Sequence, residues 1–332
     1  MRVAVIGAGS WGTALAMHAA RVGCDVSLWA REEEIVEGIR SAHRNPLFLS
    51  DFTIPERVKV TGELAVACAG ARVIVFVVPV QFARGVLRGL CPHVPADAVL
   101  LSASKGIEVA SLARMDELVR AELRLEEGAF VALSGPSFAR EVAAGLPTAA
   151  VLAGRNAAPL RELQEALSDR RFRFYTASDV VGVELAGALK NVIAIAAGMA
   201  TGLELGLNAL AALLTRGLHE IARLGVKLGG REETFRGLAG MGDLVLTCTG
   251  ALSRNRSVGE RLGRGEALEK ILAGREVAEG VPTARAASEL ARRNGVEMPI
   301  TFTIEAILAG RLTPREAVPA LMTRTLKEES LL

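Results

Sequence analysis

The sequence predicts an α/β fold in which a doubly wound sheet is followed by an all-α domain. Short apolar runs alternate with helical patterns up to about residue 178, which is typical of repeated β-α-β units. Beyond that point the patterns are helical and no convincing strand is found. A glycine-rich turn joins the first strand to the first helix. We therefore expect a first domain over residues 1–178 and an all-helical domain over residues 179–332.

The strands of the first domain are predicted from short runs rich in valine and isoleucine. Residues 73–78 form a continuous apolar run closed by Pro79, as expected of a buried parallel strand. The predicted strands are Val3–Ile6, Asp25–Trp29, Val73–Val78, Val99–Ser102, Phe130–Leu133, Thr148–Leu152 and Phe172–Tyr175. The predicted helices between them are Thr13–Val22, Arg31–Arg40, Leu112–Leu123 and Pro159–Leu167.

The second domain begins with one long helical pattern, Val181–Ala200, that is rich in alanine and glycine. Further helical patterns follow it along the rest of the chain. They are Ala209–Leu224, Arg256–Arg264, Ala267–Leu272, Ala284–Arg293, Thr301–Ala309 and Pro314–Met322. Ala-rich helices of this kind are compatible with a homodimer.

The composition excludes several classes of protein. With 39 basic and 37 acidic residues the net charge is +2, which gives no reason to expect a nucleic acid or a membrane surface as partner. The four cysteines form no C-x-x-C pair and the four histidines show no ligand spacing, so we expect reduced thiols in a cytoplasmic protein and no metal. The chain opens on a strand, so we expect no signal peptide. No uninterrupted apolar stretch of about 18 residues predicts a membrane helix.

A G-x-G-x-x-G pattern lies between the first strand and the first helix, and that context predicts a Rossmann-like dinucleotide site. Gly7 permits the tight turn, Gly9 lets the backbone approach a pyrophosphate, and Gly12 lets the helix pack closely on the strand. The helix N-terminus, which includes Ser10 and Trp11, offers N–H groups and a positive dipole end to the phosphates.

The end of the second strand indicates which dinucleotide is bound. An acid there binds the ribose 2′-OH of NAD, whereas an arginine accommodates the 2′-phosphate of NADP. Arg31 follows this strand and no acid stands at the expected position, which favours NADP. The three glutamates that come next, residues 32–34, leave NAD open.

Only six of the 39 basic residues are lysines, so a lysine inside a motif-like segment stands out. Lys105 comes after a predicted strand, at the edge of the sheet where open α/β folds bind ligands. Lys190 and Asn191 interrupt the long apolar helix. Burial of an ammonium is costly unless it is paired, and it lowers the pKa, which makes Lys190 a usable proton donor or acceptor. The alternative is a lysine whose stem reaches out to the rim of the helix.

Two further segments are rich in polar residues. Residues 134–139 (SGPSFA) follow a strand and open a helix for which Pro136 is a suitable start. The segment that contains Asp243 and Arg254 concentrates Gly, Asp, Thr, Arg and Asn. Asp243 can pair with a buried lysine, and Arg254 offers a planar fork suited to phosphate. A helix cap and a surface charge are the plain structural alternatives for these two residues.

Together these segments resemble the bacterial NAD(P)-dependent sn-glycerol-3-phosphate dehydrogenases. The resemblance extends over nearly the whole chain, in the order of the family. It is carried by Gly7–Ala16 (GAGSWGTALA), Ser104–Gly106 (SKG), Ser134–Ala139 (SGPSFA), Leu185–Ala194 (LAGALKNVIA), Gly240–Thr249 (GMGDLVLTCT), Ser253–Asn255 (SRN) and Val277–Thr283 (VAEGVPT).

The resemblance implies the reversible reduction of dihydroxyacetone phosphate to glycerol 3-phosphate for phospholipid synthesis, with Lys190 as the catalytic acid/base. The substrate contacts that it implies are Lys105, Gly135, Ser137, Lys190, Asp243, Ser253, Arg254 and Asn255. The dinucleotide contacts that it implies are Ser10, Trp11, Arg31, Lys105, Ala139, Arg254, Val277 and Glu279.

The chemistry of these residues fits that function and leaves two alternatives. Hydride transfer to a carbonyl carbon places negative charge on the oxygen, which nearby ammonium groups stabilise. One alternative is a related dehydrogenase for a 6-phosphogluconate or a 3-hydroxy acid, although Ser253–Asn255 argues against a substrate without phosphate. The other is a dinucleotide-sensing regulator without turnover, which has no need of a lysine inside an apolar helix.

Overall fold

The computed structural model describes residues 1–126, 128–274, 278–325 and 328–329. By its internal contacts the chain divides into a sheet unit, Met1–Ser104 with Met115–Val180, and a helical unit, Lys105–Arg114 with Val181–Leu332. The predicted domain boundary follows residue 178, and the observed division between Val180 and Val181 lies two residues later. The sequence did not predict that residues 105–114 group with the helical unit.

The sheet has eight strands among the described residues, in the order β3-β2-β1-β4-β5-β6-β7-β8. They are β1 (Arg2–Ile6), β2 (Asp25–Trp29), β3 (Val58–Thr61), β4 (Val73–Phe76), β5 (Val99–Ser102), β6 (Phe130–Ser134), β7 (Thr148–Gly154) and β8 (Phe172–Ala177). The prediction of a doubly wound sheet is confirmed, because the strand order runs outward in both directions from β1 and β4. Strand β3 was not predicted, because its residues VKVT lack the continuous apolar run that predicted the equally short strands β4 and β5.

The glycine turn lies at the point where the strand order reverses. β1 and β4 are parallel neighbours, and Ile6 at the end of β1 pairs with Phe76 at the end of β4. Gly7 follows directly, and its N–H donates a hydrogen bond of 3.1 Å to the carbonyl oxygen of Trp29 at the end of β2. Open α/β sheets bind ligands outside the carboxyl ends of the strands at such a switch point.

One pair of neighbouring strands departs from the parallel pattern: β7 runs antiparallel to β6, whereas the other pairs are parallel. A parallel return needs a crossover that carries the chain back along the sheet. The connection here contains only α6 (Ala139–Ala144), whose six residues rise about 9 Å. The chain therefore enters β7 from the edge at which β6 ends.

Each predicted helix is confirmed, with ends that differ by at most four residues. In the sheet unit they are α1 (Ser10–Arg21), α2 (Glu33–Ala42), α3 (Leu64–Cys68), α4 (Val80–Leu90), α5 (Met115–Glu122), α6 and α7 (Ala157–Leu167). The helical unit contains α8 (Val180–Gly202), α9 (Gly206–Lys227), α10 (Glu232–Arg236), α11 (Asp243–Thr249), α12 (Arg254–Gly263), α13 (Leu268–Leu272), α14 (Gly280–Arg293), α15 (Pro299–Leu308) and α16 (Pro314–Met322). Its described residues include no strand, as predicted.

Helix α8 is the central element of the apolar core of the helical unit. Its most apolar window has a mean hydropathy of 1.7, so by length and composition it could cross a membrane. The sequence predicted no membrane helix, because it contains no uninterrupted apolar stretch of about 18 residues. That window is 89% buried inside the protein. The apolar side chains of α8 are therefore used for packing within the fold.

Glycines let α8 and α12 cross in backbone contact. A Cβ at Gly198 on α8 would lie 1.9 Å from the carbonyl oxygen of Arg256 on α12. A Cβ at Gly259 on α12 would lie 1.9 Å from the carbonyl oxygen of Ile195 on α8. Both contacts are with backbone carbonyl oxygens, which cannot move aside as the end of a flexible side chain can. This contact fixes the position of α12, and with it Arg254 at the start of α12, relative to α8.

The variant Gly259→Ala is expected to lower the free energy of unfolding by about 1–3 kcal/mol, the usual cost of overpacking a core. Gly85→Ala is the matched control, since a Cβ at this glycine in α4 would meet nothing within 4 Å. Alanine favours a helix over glycine, so the control should gain up to about 1 kcal/mol. Urea unfolding of both variants measures the difference. Equal stability of the two would show that α8 and α12 are not in tight contact.

Candidate active site

Two of the three glycines in the turn leave no room for a side chain, whereas the third has open space beside it. A Cβ at Gly7, where φ is +115°, would lie 2.7 Å from the carbonyl oxygen of Val77. A Cβ at Gly12 would lie 1.8 Å from the carbonyl oxygen of Gly7, so α1 packs this closely only without a side chain. A Cβ at Gly9 would meet nothing within 4 Å. The space over Gly9 is therefore available to a ligand that approaches the backbone.

Helix α1 begins at Ser10, directly after this turn. Its N-cap is Gly9, which has no side chain to cap the first amides of the helix. Such amides attract phosphate. Trp11 packs against the apolar core, while its indole Nε1 is buried and has no hydrogen-bond partner among the described residues. An open backbone cradle, uncapped amides and an unused indole N–H together fit a dinucleotide.

Arg31 lies two residues beyond the end of β2 and is exposed. Its Nε and Nη2 atoms donate hydrogen bonds of 3.1 and 2.7 Å to Oε1 of Glu32, which is the N-cap residue of α2. The guanidinium is thus held beside the carboxyl edge of the sheet by its acidic neighbour. A 2′-phosphate there would have to replace Glu32 as its partner.

The loop after β6 brings Gly135, Ser137 and Ala139 to the same edge of the sheet. Gly135 has φ of +145°, and a Cβ there would lie 2.8 Å from the Cα of Ala150. Ser137 Oγ donates to the carbonyl oxygen of Gly135 at 2.9 Å. A helix follows this segment as predicted, but α6 begins at Ala139, three residues after Pro136. The hydrogen bond of Ser137 back to Gly135 closes a turn instead of capping a helix.

Three of the predicted site residues meet in the helical unit. Lys190, in the middle of α8, is 7% exposed, and Asp243, at the start of α11, is 1% exposed. Lys190 Nζ donates to Asp243 Oδ1, and Lys105 Nζ donates to Asp243 Oδ2 at 2.7 Å. The expected pairing of Asp243 with a buried lysine is confirmed, and Lys190 does not reach the rim of its helix. We refer to Lys105, Lys190 and Asp243 as the lysine–aspartate cluster.

The charges of this cluster shift the proton affinities of its members. Burial lowers the pKa of Lys190 to about 8; attraction to Asp243 opposes that effect, and repulsion by Lys105 adds to it. Burial by itself acts to raise the pKa of Asp243, but the two ammonium groups hold that pKa below its usual range. At neutral pH the cluster therefore contains a carboxylate, and Lys190 is the member that can exchange a proton near pH 8.

Thr247 completes the surroundings of Lys190, and sequence reasoning did not single it out. Lys190 Nζ donates to Thr247 Oγ1 at 2.8 Å, and that hydroxyl donates in turn to the backbone oxygen of Asp243 at 2.7 Å. Its position four residues after Asp243 places it on the same face of α11, which is the signal that could have found it. Cys248 lies next to it, and burial raises the pKa of its thiol to about 12, so the thiol stays neutral.

A chain of amides connects α8 to the start of α14. Asn255 Nδ2 on α12 donates to Asn191 Oδ1 at 2.9 Å, and the N–H of Gly280 donates to Asn255 Oδ1 at 2.9 Å. Asn191 is the residue that follows Lys190. The side chain of Asn255 is thus already engaged with protein on both its oxygen and its nitrogen.

Three further predicted residues lie at helix starts. Ser253 caps α12 by accepting a hydrogen bond of 3.2 Å from the N–H of Arg256. Arg254 follows as the first residue of α12 and is exposed. Glu279 precedes α14. Val277 lies outside the residues that the structure describes.

Comparison with known proteins identifies the family. A family model described as the NAD-dependent glycerol-3-phosphate dehydrogenase N-terminus matches residues 2–159. The model for the C-terminus of the same proteins matches residues 179–319. The chain belongs to the NAD-dependent glycerol-3-phosphate dehydrogenase family. The resemblance seen in the sequence motifs is thereby confirmed.

Individual members of the family are similar over the full length of the chain. A glycerol-3-phosphate dehydrogenase [NAD(P)+] of Syntrophotalea carbinolica is 52% identical, with 99% of each chain covered. One of Citrifermentans bemidjiense is also 52% identical, with 99% of each chain covered. Among solved structures, the glycerol-3-phosphate dehydrogenase of Coxiella burnetii is 41% identical with a TM-score of 0.93, and the match covers 97% of this chain and 99% of that one.

Proposed function

We propose that the protein is a cytoplasmic dehydrogenase that uses NAD(P)H to reduce dihydroxyacetone phosphate to sn-glycerol 3-phosphate, reversibly, and so provides the backbone of glycerophospholipids. Membership of the family supports a small phosphorylated substrate and a nicotinamide dinucleotide. The observation that carries the proposal is the lysine–aspartate cluster. An ammonium that is buried, paired and has a pKa of about 8 can give and take a proton near neutrality.

The dinucleotide, when bound, supplies the hydride that reduces the carbonyl carbon. Lys190 Nζ then donates the proton that the carbonyl oxygen needs, and takes it back in the reverse reaction. The ammonium of Lys105, which shares Asp243 with Lys190, stabilises the negative charge on that oxygen as it develops. Asp243 keeps both ammonium groups in place. Thr247 accepts a hydrogen bond from Lys190 and limits the directions in which its Nζ can point.

The phosphate of the substrate is assigned to the start of α12. The exposed guanidinium of Arg254 can bind phosphate oxygens in a bidentate manner. Ser253 and Asn255 flank it, and Asn255 contributes mainly by holding this helix start against α8. Gly135 and Ser137 are proposed as further substrate contacts.

The pyrophosphate is assigned to the glycine turn and the start of α1. The open space over Gly9 and the uncapped amides of α1 support this assignment. The other proposed dinucleotide contacts are Gly7, Ser10, Trp11, Gly12, Arg31, Lys105, Ala139, Arg254, Val277 and Glu279.

Oxidation of NADPH on addition of dihydroxyacetone phosphate tests the function. The expected result is steady turnover that the variant Lys190→Ala lacks. Assays of NADP+ reduction by a 6-phosphogluconate and by a 3-hydroxy acid test the nearest alternative, and turnover restricted to one of these would transfer the assignment to it. Tight binding of NADPH by well-folded protein, without turnover of any of the three, would favour a dinucleotide sensor.

Arg31 is proposed to make NADPH the preferred dinucleotide. The variant Arg31→Ala is expected to weaken NADPH binding roughly tenfold or more, since a hydrogen bond to a charged group contributes about 1.5–3 kcal/mol. Binding of NADH should change little, because NADH lacks the 2′-phosphate. Arg57→Ala is the matched control, since Arg57 is also exposed but precedes β3, at the opposite edge of the sheet. Fluorescence titration measures both affinities, and an equal loss for the two dinucleotides would remove Arg31 from this role.

A further inference from the structure

Residues 105–114 form a compact segment built into the helical unit, although the chain on either side of it belongs to the sheet unit. Ile107 is fully buried in the apolar core around α8. The N–H of Glu108 donates to the carbonyl oxygen of Ala113 at 3.0 Å, and the N–H of Leu112 donates to that of Glu108 at 2.8 Å. These bonds close the segment on itself. It can therefore be held as one body by contacts at its two ends.

Both ends of the segment are ion-paired to the helical unit. Lys105 pairs with Asp243, as described above. At the other end, Arg114 Nε lies 3.4 Å from Oε2 of Glu184 on α8, and the side chains of this pair are only 13% and 8% exposed. Glu184 precedes Lys190 by six residues, a rise of about 9 Å along the same helix. One helix thus carries both the proposed proton donor and the anchor of the segment that brings Lys105 to it.

We propose that the buried Arg114–Glu184 ion pair is a positioning device for the reaction: it fixes the segment 105–114 on α8 so that the ammonium of Lys105 is held against Asp243, beside Lys190. The role in catalysis rests on the function proposed above, in which Lys190 is the proton donor. Arg114 and Glu184 act through Lys105 and are not themselves catalytic residues.

Loss of the Arg114–Glu184 pair is expected to change the electrostatic potential at Lys190. The charged groups that lower or raise the proton affinity of Lys190 are Lys105 and Asp243, and the thiol of Cys248 nearby is neutral. If the Arg114 end of the segment is released, the pair of Lys105 with Asp243 loses one of its supports, and Lys105 is held less closely to Lys190. The repulsion that Lys105 exerts is then reduced, and the pKa of Lys190 must rise.

An NMR titration of the lysine side chains tests this directly, because the chain has only six lysines. The signal of Lys190 is assigned as the one missing from Lys190→Met. The variant Arg114→Met should move the midpoint of this signal from about 8 to higher pH, in the same direction as Lys105→Met. Arg114→Lys keeps the charge and should restore much of the native midpoint. Glu184→Gln gives a second means of breaking the pair if Arg114→Met folds poorly.

Turnover gives the second readout. Arg114→Met should lower kcat by roughly tenfold. Complete removal of a donor to the oxyanion costs about 10²–10³-fold, and this variant only loosens such a donor, Lys105. In a background that already carries Lys105→Met, the same change should add little, because residues that act as a unit are not additive. Arg293→Met is the matched control, since its pair with Glu289 on α14 is exposed, and it should alter neither the titration nor the turnover.

The outcomes separate the two proposals. An unchanged Lys190 midpoint in folded Arg114→Met, or losses of turnover that multiply with those of Lys105→Met, would overturn the positioning role. Absence of turnover by the wild-type protein would overturn the proposed function. The Lys190 titration would still decide whether the ion pair holds Lys105 in place.

Discussion

Replacing Lys190 by alanine is expected to remove most of the turnover and to leave the fold and the binding of NADPH intact. Reduction of dihydroxyacetone phosphate requires a proton at the carbonyl oxygen, and Lys190 Nζ is the proposed donor. A positioned general acid contributes about 10²–10⁴-fold, so kcat should fall by about that factor. The dissociation constant of NADPH should change little, because the proposed pyrophosphate contacts lie at the glycine turn. Steady-state kinetics and a binding titration measure the two quantities.

Two companion variants separate lost chemistry from lost structure. Lys190→Met keeps most of the volume of the side chain and should be as inactive as the alanine variant. Lys227→Ala removes an exposed lysine from the end of α9 and should be fully active. A loss of only a few-fold in either Lys190 variant would show that another group donates the proton.

The variant Asp243→Asn is expected to have the second largest effect, on both stability and activity. It leaves two ammonium groups facing a neutral amide, and removal of one partner from a buried ion pair costs about 3–5 kcal/mol. The attraction that raises the pKa of Lys190 is lost while burial and repulsion by Lys105 remain. That pKa should therefore fall below about 8, so that a smaller fraction of Lys190 is protonated at neutral pH and able to donate.

The direction of this change is the sharpest part of the prediction. Loss of Asp243 should move the high-pH limit of the reduction to lower pH, whereas loss of the Arg114 anchor should move it to higher pH. Asp25→Asn is a suitable control, because Asp25 is an exposed aspartate paired with Arg57 in the sheet unit. A shift to higher pH in Asp243→Asn would contradict the charge arrangement described for the cluster.

Several features of the fold could be predicted from the sequence because they depend on local patterns. β2 and α16 have the predicted ends, since turn residues or a proline bound each of them. The pairing of Asp243 with a lysine could be predicted from the free-energy cost of burying an unpaired ammonium, because Lys190 interrupts an apolar helix and needs a partner. The lone lysine in an otherwise apolar pattern was thus the most informative polar residue in the second half.

Other features depend on contacts between distant residues and left no local pattern. Residues 105–111 lie between a predicted strand and a predicted helix with no pattern of their own, yet Ile107 is fully buried in the core of the helical unit. Glu220 on α9 is another example: its carboxylate accepts N–H bonds from Ile300 and Thr301, 80 and 81 residues away, at the start of α15. Burial raises the pKa of Glu220 to about 7 even though these bonds favour its charged form. Nothing in the local sequence distinguishes this buried cap from a surface acid.

The central claim is that the proton of the reaction resides on Lys190, and the pH dependence of kcat/KM in both directions tests it most directly. Reduction requires Lys190 to be protonated and oxidation requires it to be neutral. On one preparation of the protein, kcat/KM for dihydroxyacetone phosphate should therefore fall above a pKa of about 8, while kcat/KM for glycerol 3-phosphate should rise through the same pKa. Profiles that share no pKa, or a shared pKa that persists in the residual activity of Lys190→Met, would contradict it.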